Sequence, residues 1–117
     1  MINTAGRQRG RPPSKGVTVM VVIRNVFRCK PGKAKALVTK FKETIAGVQH
    51  EGLMKNARVM TDVAAGFWTV VLETEAESLE AWENEFRKMG EDPRSRKGME
   101  GYMELVEGGH REIFRLE

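Results

Sequence analysis

The amino-acid sequence predicts an α+β domain, one antiparallel sheet with its two long helices on the same face. Two rhythms of apolar residues predict it. A period of two runs through 17–27, 57–63, 67–72 and 110–116, the spacing of strands. A period near 3.6 runs through 34–48 and 79–89, the spacing of amphipathic helices. Their order along the chain is β-α-β-β-α-β, the ferredoxin-like arrangement in which helices cover one sheet face and leave the other open.

In the first strand Val17, Val19, Val21, Ile23, Asn25 and Phe27 point one way, and Thr18, Met20, Val22, Arg24, Val26 and Arg28 the other. Both faces are apolar at the centre, so this strand is central. Lys30-Pro31-Gly32-Lys33 turns into a helix whose stripe is Ala34, Leu37, Val38, Phe41, Ile45 and Val48, with Lys33, Lys35, Lys40 and Lys42 on the wet side. Gly47 and Gly52 loosen its end, near a solvated His50. The weaker run 57–63 fits an edge. Ala64-Ala65-Gly66 leads into 67–72, with Phe67, Thr69 and Val71 on one side and Trp68, Val70 and Leu72 on the other, a second central strand. Thr74-Glu75-Ala76-Glu77 reads as a capping box for a helix burying Leu79, Trp82, Phe86 and Met89. Asp92-Pro93 can cap a further short helical piece, with Met99, Tyr102, Met103 and Val106 on one face, and Gly108-Gly109 releases the closing strand.

The chain has 117 residues, enough for one core without disulfides or metal. Its single Cys29 excludes an internal disulfide and a cysteine-cluster metal site. No apolar run is long enough to span a membrane, and the basic N-terminus lacks the apolar segment of a secretory signal, so a cytoplasmic protein is expected. Arg7, Arg9, Arg11 and Lys15 account for the whole net charge of +4, so 17–117 is balanced. Residues 1–16 have no apolar face to bury and read as a disordered basic tail, followed by one domain over 17–117.

With these residues attached, the chain resembles the dimeric α/β-barrel superfamily, including antibiotic-biosynthesis monooxygenase-like and NIPSNAP-like proteins. The resemblance covers 17–117. It is carried by the Val/Ile-rich first strand, the Lys30-Pro31-Gly32-Lys33 turn, the run 67–72 before the capped helix 77–89, and the closing Gly109-His110-Arg111-Glu112-Ile113-Phe114. It implies a sheet-to-sheet homodimer. Elementary energetics agrees: Met20, Val22, Phe67 and Val71 would lie in water on the open face, each worth roughly 1.5–3 kcal/mol if buried, and a two-fold dimer buries the patch twice.

The expected site lies between sheet and helices. Asn25 and Trp68 share the helix-side face by parity with Ile23 and Val70, where Asn25 could hydrogen-bond a flat organic molecule and Trp68 stack on it. Tyr102 could donate a hydrogen bond into a pocket, and Arg111 could anchor an anion near Arg24 or Arg58. His110 has the right pKa range for acid–base work, so His110 and Asn25 are the catalytic candidates. The resemblance includes haem-degrading members that use an Asn, a Trp and a His, but 75–106 contains no histidine, so haem degradation is not expected. No metal and no cofactor is expected.

The sequence therefore reads as a small-molecule binder for a largely apolar ligand, with cofactor-independent monooxygenase-like chemistry as one form. A non-catalytic ligand-binding or stress-type protein is the alternative. An RNA-recognition-like module is the third reading, since Val21-Val22-Ile23-Arg24-Asn25-Val26 and Gly66-Phe67-Trp68-Thr69-Val70-Val71-Leu72 echo its strand motifs. That module stacks bases on exposed aromatics, yet Val22 and Thr69 occupy two of the stacking positions and only Phe67 remains, so nucleic acid is not the expected partner.

Overall fold

The chain alternates β1 (Val21–Cys29), α1 (Ala34–Val48), β2 (Lys55–Thr61), β3 (Thr69–Ala76), α2 (Leu79–Glu91), α3 (Pro93–Gly98) and β4 (Val106–Arg115). The computed structural model describes residues 20–117. The basic tail 1–16 and the first residues expected in the opening strand lie outside the described residues. The four strands form one antiparallel sheet in the order β2-β3-β1-β4, with β1 and β3 central as their two-faced apolar character requires. Among the described residues, no helix is long and apolar enough to cross a membrane.

Pairing fixes the faces. Ile23 stands opposite Thr74 and Ile113, and Asn25 opposite Leu72 and Arg111. These residues face the helices, where Ile23, Leu37, Val48 and Val70 are fully enclosed. The main core lies under α1 and joins Leu37, Phe41 and Val48 to Cys29, Leu53, Met54, Val70 and Leu72. Phe27 packs its ring 5.1 Å from Phe41 and meets Tyr102 edge-on at 6.4 Å. A smaller cluster of Val21, Ile23 and Ala76 is covered by Trp82 of α2.

Three expectations are corrected. The run 67–72 begins its strand two residues late, because Phe67 and Trp68 both take left-handed backbone angles (φ 60° and 56°), outside the range of regular strands. Phe67 therefore leaves the open sheet face and stands 79% exposed in the loop before β3. Thr74 does not cap α2, since β3 runs on to pair Ala76 with Val21; Ser78 is the cap, its Oγ accepting from the Ala81 amide at 3.0 Å. Along α2, Leu79 and Phe86 are about half exposed rather than buried. The short helix after Asp92 forms as expected, with Asp92 Oδ1 accepting from the Arg94 amide at 2.8 Å.

At the start of β4 the sheet needs a residue without a side chain. A Cβ at Gly109 would lie 2.2 Å from the Val26 carbonyl oxygen and 3.2 Å from Phe27 Cα, both main-chain atoms. Relief would require moving β4 off β1. Gly109→Ala should lower the melting temperature by roughly 5–15 °C, whereas Gly66→Ala, with open space around its position, should stay within about 3 °C of the parent. Thermal melts followed by circular dichroism check both.

Candidate functional site

The helix-facing side of β1 and β4 carries the polar pair on which the site is built. Arg111 lies directly across from Asn25, and its Nε donates to Asn25 Oδ1 at 2.6 Å. That bond orients the Asn25 amide and leaves its Nδ2 as an outward donor. The guanidinium carbon sits 5.0 Å from the ring centres of both Trp82 and Phe86. These rings are four residues apart on α2, hence on one helix face, and lie 5.4 Å from each other. Each cation–π contact contributes about 0.5–1 kcal/mol at an accessible site. The half-exposed Phe86 thus has a partner after all, a cation rather than the core.

Beside this pair a cavity of about 330 Å³ opens, lined by Asn25, Phe27, Tyr102, Met103, Val106 and Arg111 among others. Three of the expected ligand-contacting residues, Asn25, Tyr102 and Arg111, converge on it. The expected catalytic His110 stands at its rim, but alternation along β4 turns the imidazole to the open sheet face, where Nε2 lies 3.0 Å from Glu112 Oε2. Trp68 is elsewhere. It lines a separate hollow of about 510 Å³ with Ala34, Lys35, Val38, Thr61, Asp62, Val63 and Phe67. The single pocket shared by Asn25 and Trp68 therefore divides in two. Trp82 and Phe86, read from the sequence as core, are the site residues that reading missed; their four-residue spacing was visible, the arginine across from them was not.

The open face holds a second polar arrangement. The Glu73 side chain is 5% exposed, with Arg24 Nη2 donating to Oε1 at 2.9 Å and Arg58 bonded to Oε2. These residues come from three adjacent strands, β2, β3 and β1. Arg24 also reaches Glu112 at 3.8 Å and the Phe114 ring at 5.6 Å. Hydrogen bonds from Arg58, then from Arg24, hold the Glu73 carboxyl below its ordinary range, against the opposing effect of burial. Around this network lie Met20, Val22, Val26 and Val71, half-buried, with Met60 and Phe114 more exposed.

The fold defines the class, a ferredoxin-like α+β domain; its hollow beside Asn25 and Arg111 is walled by β1, β4 and the segment 102–105, and not by the long helices under which it was expected. No family model and no curated protein matches the sequence. Solved structures do match the fold. A NIPSNAP family protein from Agrobacterium tumefaciens superposes with a TM-score of 0.73 at 18% identity, over 84% of this chain and 86% of its own. A NIPSNAP-like domain protein from Burkholderia xenovorans gives 0.72 at 14% identity, over 84% and 85%. A candidate antibiotic biosynthesis monooxygenase from Chloroflexus aurantiacus gives 0.65 at 14% identity, over 84% and 93%. The chain has the fold of these proteins, as the resemblance over 17–117 implied.

A carboxyl held below its ordinary range stabilises the fold above that range, and the contribution is lost as pH falls through the folded-state value. Melting temperature should therefore decline below about pH 4. Glu73→Gln should melt lower than the parent at pH 7 and show a shallower acid limb. Melts between pH 7 and 2.5 check this, and an unchanged limb contradicts it.

Proposed function

We propose that this protein binds a small, largely apolar organic molecule carrying an oxygen acceptor in the cavity beside Asn25 and Arg111. The observation that carries the reading is the 2.6 Å bond between those two side chains at the edge of an otherwise apolar cavity. Phe27, Met103 and Val106 would take the ligand's body. The Asn25 Nδ2, the remaining Arg111 N–H groups and the Tyr102 hydroxyl would take its oxygen. Few convergent polar groups in an apolar hollow is the usual composition of a small-molecule site. A non-catalytic binder is favoured over an oxygenase by one detail, the His110 imidazole bonded to Glu112 on the opposite sheet face. The oxygenase reading draws support from the fold shared with the Chloroflexus protein.

The same proposal has the protein working as a cytoplasmic homodimer with the open faces packed together. The apolar ring of Met20, Val22, Val26, Met60, Val71 and Phe114 supports this. So does the mutual neutralisation of Arg24, Glu73, Arg58 and Glu112, because a charge buried without a partner is costly. Nucleic-acid binding loses its main support, since Phe67 stands in a loop and not on the sheet where bases would stack.

Titration with 1-naphthoate, followed by calorimetry, tests the pocket. Binding should saturate, and Arg111→Ala should weaken it about tenfold, the equivalent of ~1.4 kcal/mol, without loss of fold. Asn25→Ala should act in the same direction. Equal affinity in all three proteins refutes the site. Turnover of the ligand in air would favour the oxygenase form. Sedimentation at micromolar concentration should give a dimer for the parent and a monomer or aggregate for Val22→Asp. A monomeric parent refutes the sheet-to-sheet assembly.

A further inference from the structure

We propose that the hollow between the N-terminal half of α1 and the loop 62–68 is a second binding site, for a flat aromatic molecule bearing a protonated amine. It is separate from the cavity beside Arg111 and independent of the reading given to that cavity.

The first observation is backbone strain placed at two large aromatic residues. Phe67 and Trp68 are successive residues with φ near +60°, a region where bulky L-residues are outliers and single residues persist only when their surroundings hold them. The surroundings here are a closed set of hydrogen bonds. The Asp62 amide donates to the Thr69 carbonyl at 3.2 Å and the Cys29 amide to the Trp68 carbonyl at 2.9 Å. The Thr69 amide donates to Asp62 Oδ1 at 3.0 Å. The result presents two rings to water, Phe67 at 79% and Trp68 at 45% exposure. Neither the core nor the sheet gains from that placement.

The second observation is the shape and polarity of the open hollow beside these rings. The hollow measures about 510 Å³, within the range of small-molecule sites. Ala34 and Val38 supply its apolar floor, Val63 stands exposed at its rim, and Thr61 and Asp62 lie on the sheet side. Asp62 is half-buried and anchored through Oδ1, and among the described residues its Oδ2 has no partner. Lys35 also borders the hollow, but it is exposed on α1, and a lysine on such a surface lays its stem along the wall and carries its ammonium into water. The carboxylate is therefore the charge held in place. A ring stacked against Trp68 and Phe67 with its ammonium turned to Asp62 would satisfy both aromatic faces and the free oxygen, since aromatic faces themselves attract cations.

The test uses the full chain labelled with ¹⁵N and three probes sharing one ring: tryptamine, indole and indole-3-acetate. Tryptamine should shift the amides of Asp62, Phe67, Trp68 and Thr69 saturably, and indole-3-acetate should move them less or not at all. Asp62→Asn keeps the Oδ1 acceptor and should weaken tryptamine about fivefold, the scale of a partly solvated ion pair, while Lys35→Gln should leave it equal or tighter. Phe67→Gly removes both the ring and the steric cost of its backbone, so it should lose about tenfold in affinity while melting about 3 °C higher. The proposal is overturned if no probe shifts these amides, if indole-3-acetate binds there more tightly than tryptamine, or if Phe67→Gly melts lower with affinity unchanged. Shifts confined to the neighbourhood of Asn25 and Arg111 would overturn it too, leaving the first site standing.

Discussion

Strand β1 carries the constraint on which the rest of the molecule depends. It pairs with β3 on one side and β4 on the other, so its nine residues must serve two faces of different chemistry at once. Its odd-numbered residues feed both cores and supply Asn25 to the cavity. Its even-numbered residues supply Arg24 to the ion-pair network of the open face. A slip of one residue would exchange these sets, placing Arg24 under the helices and Ile23 in water. Two features favour the register: the three-strand bonding of Glu73 by Arg24 and Arg58, and the close approach at Gly109, which a residue with a side chain could not make.

The two sides of the sheet meet their polar groups in different ways. On the open face, charges of opposite sign compensate one another, and the buried Glu73 carboxylate has two arginines on it. On the helix side, Arg111 has no carboxylate partner among the described residues; an amide oxygen and two aromatic faces receive it instead. Such a guanidinium is held still by its planar hydrogen bond and by stacking, with no opposite charge beside it among the described residues. Proximity along β4 does not bring function together here, since His110 and Arg111 are neighbours in sequence and lie on opposite faces.

Much of the fold was legible because the signals were periodic and redundant. Helix α1 runs over 34–48 as its apolar stripe required, and the central places of β1 and β3 follow from their apolar residues on both faces. The start of β3 was not legible. Phe67 and Trp68 have the side chains of a buried strand, and strand preference measures how a side chain packs, not where the backbone turns. The cap of α2 was misread for a related reason: Thr74 and Ser78 are both good cap residues, and only the pairing of Ala76 with Val21 decides between them. The site was half legible. Asn25, Tyr102 and Arg111 could be singled out by residue type, but the contact of Arg111 with Trp82 and Phe86 depends on how α2 crosses β4, which no local pattern encodes.

The position of β4 at the margin of the sheet has a consequence for the protein at high concentration. Among the described residues no strand pairs with its ten residues on the side away from β1, leaving a ladder of main-chain groups long enough to template growth of the sheet from one molecule to the next. Glu107, Arg111, Glu112 and Arg115 interrupt that run with charges. An incoming strand would have to bring matching charges into register or leave them desolvated. The strand that places Arg111 beside Asn25 thereby also carries charges that guard against fibrous polymerisation, and neutralising them would remove that protection while leaving the main-chain pairing to β1 intact.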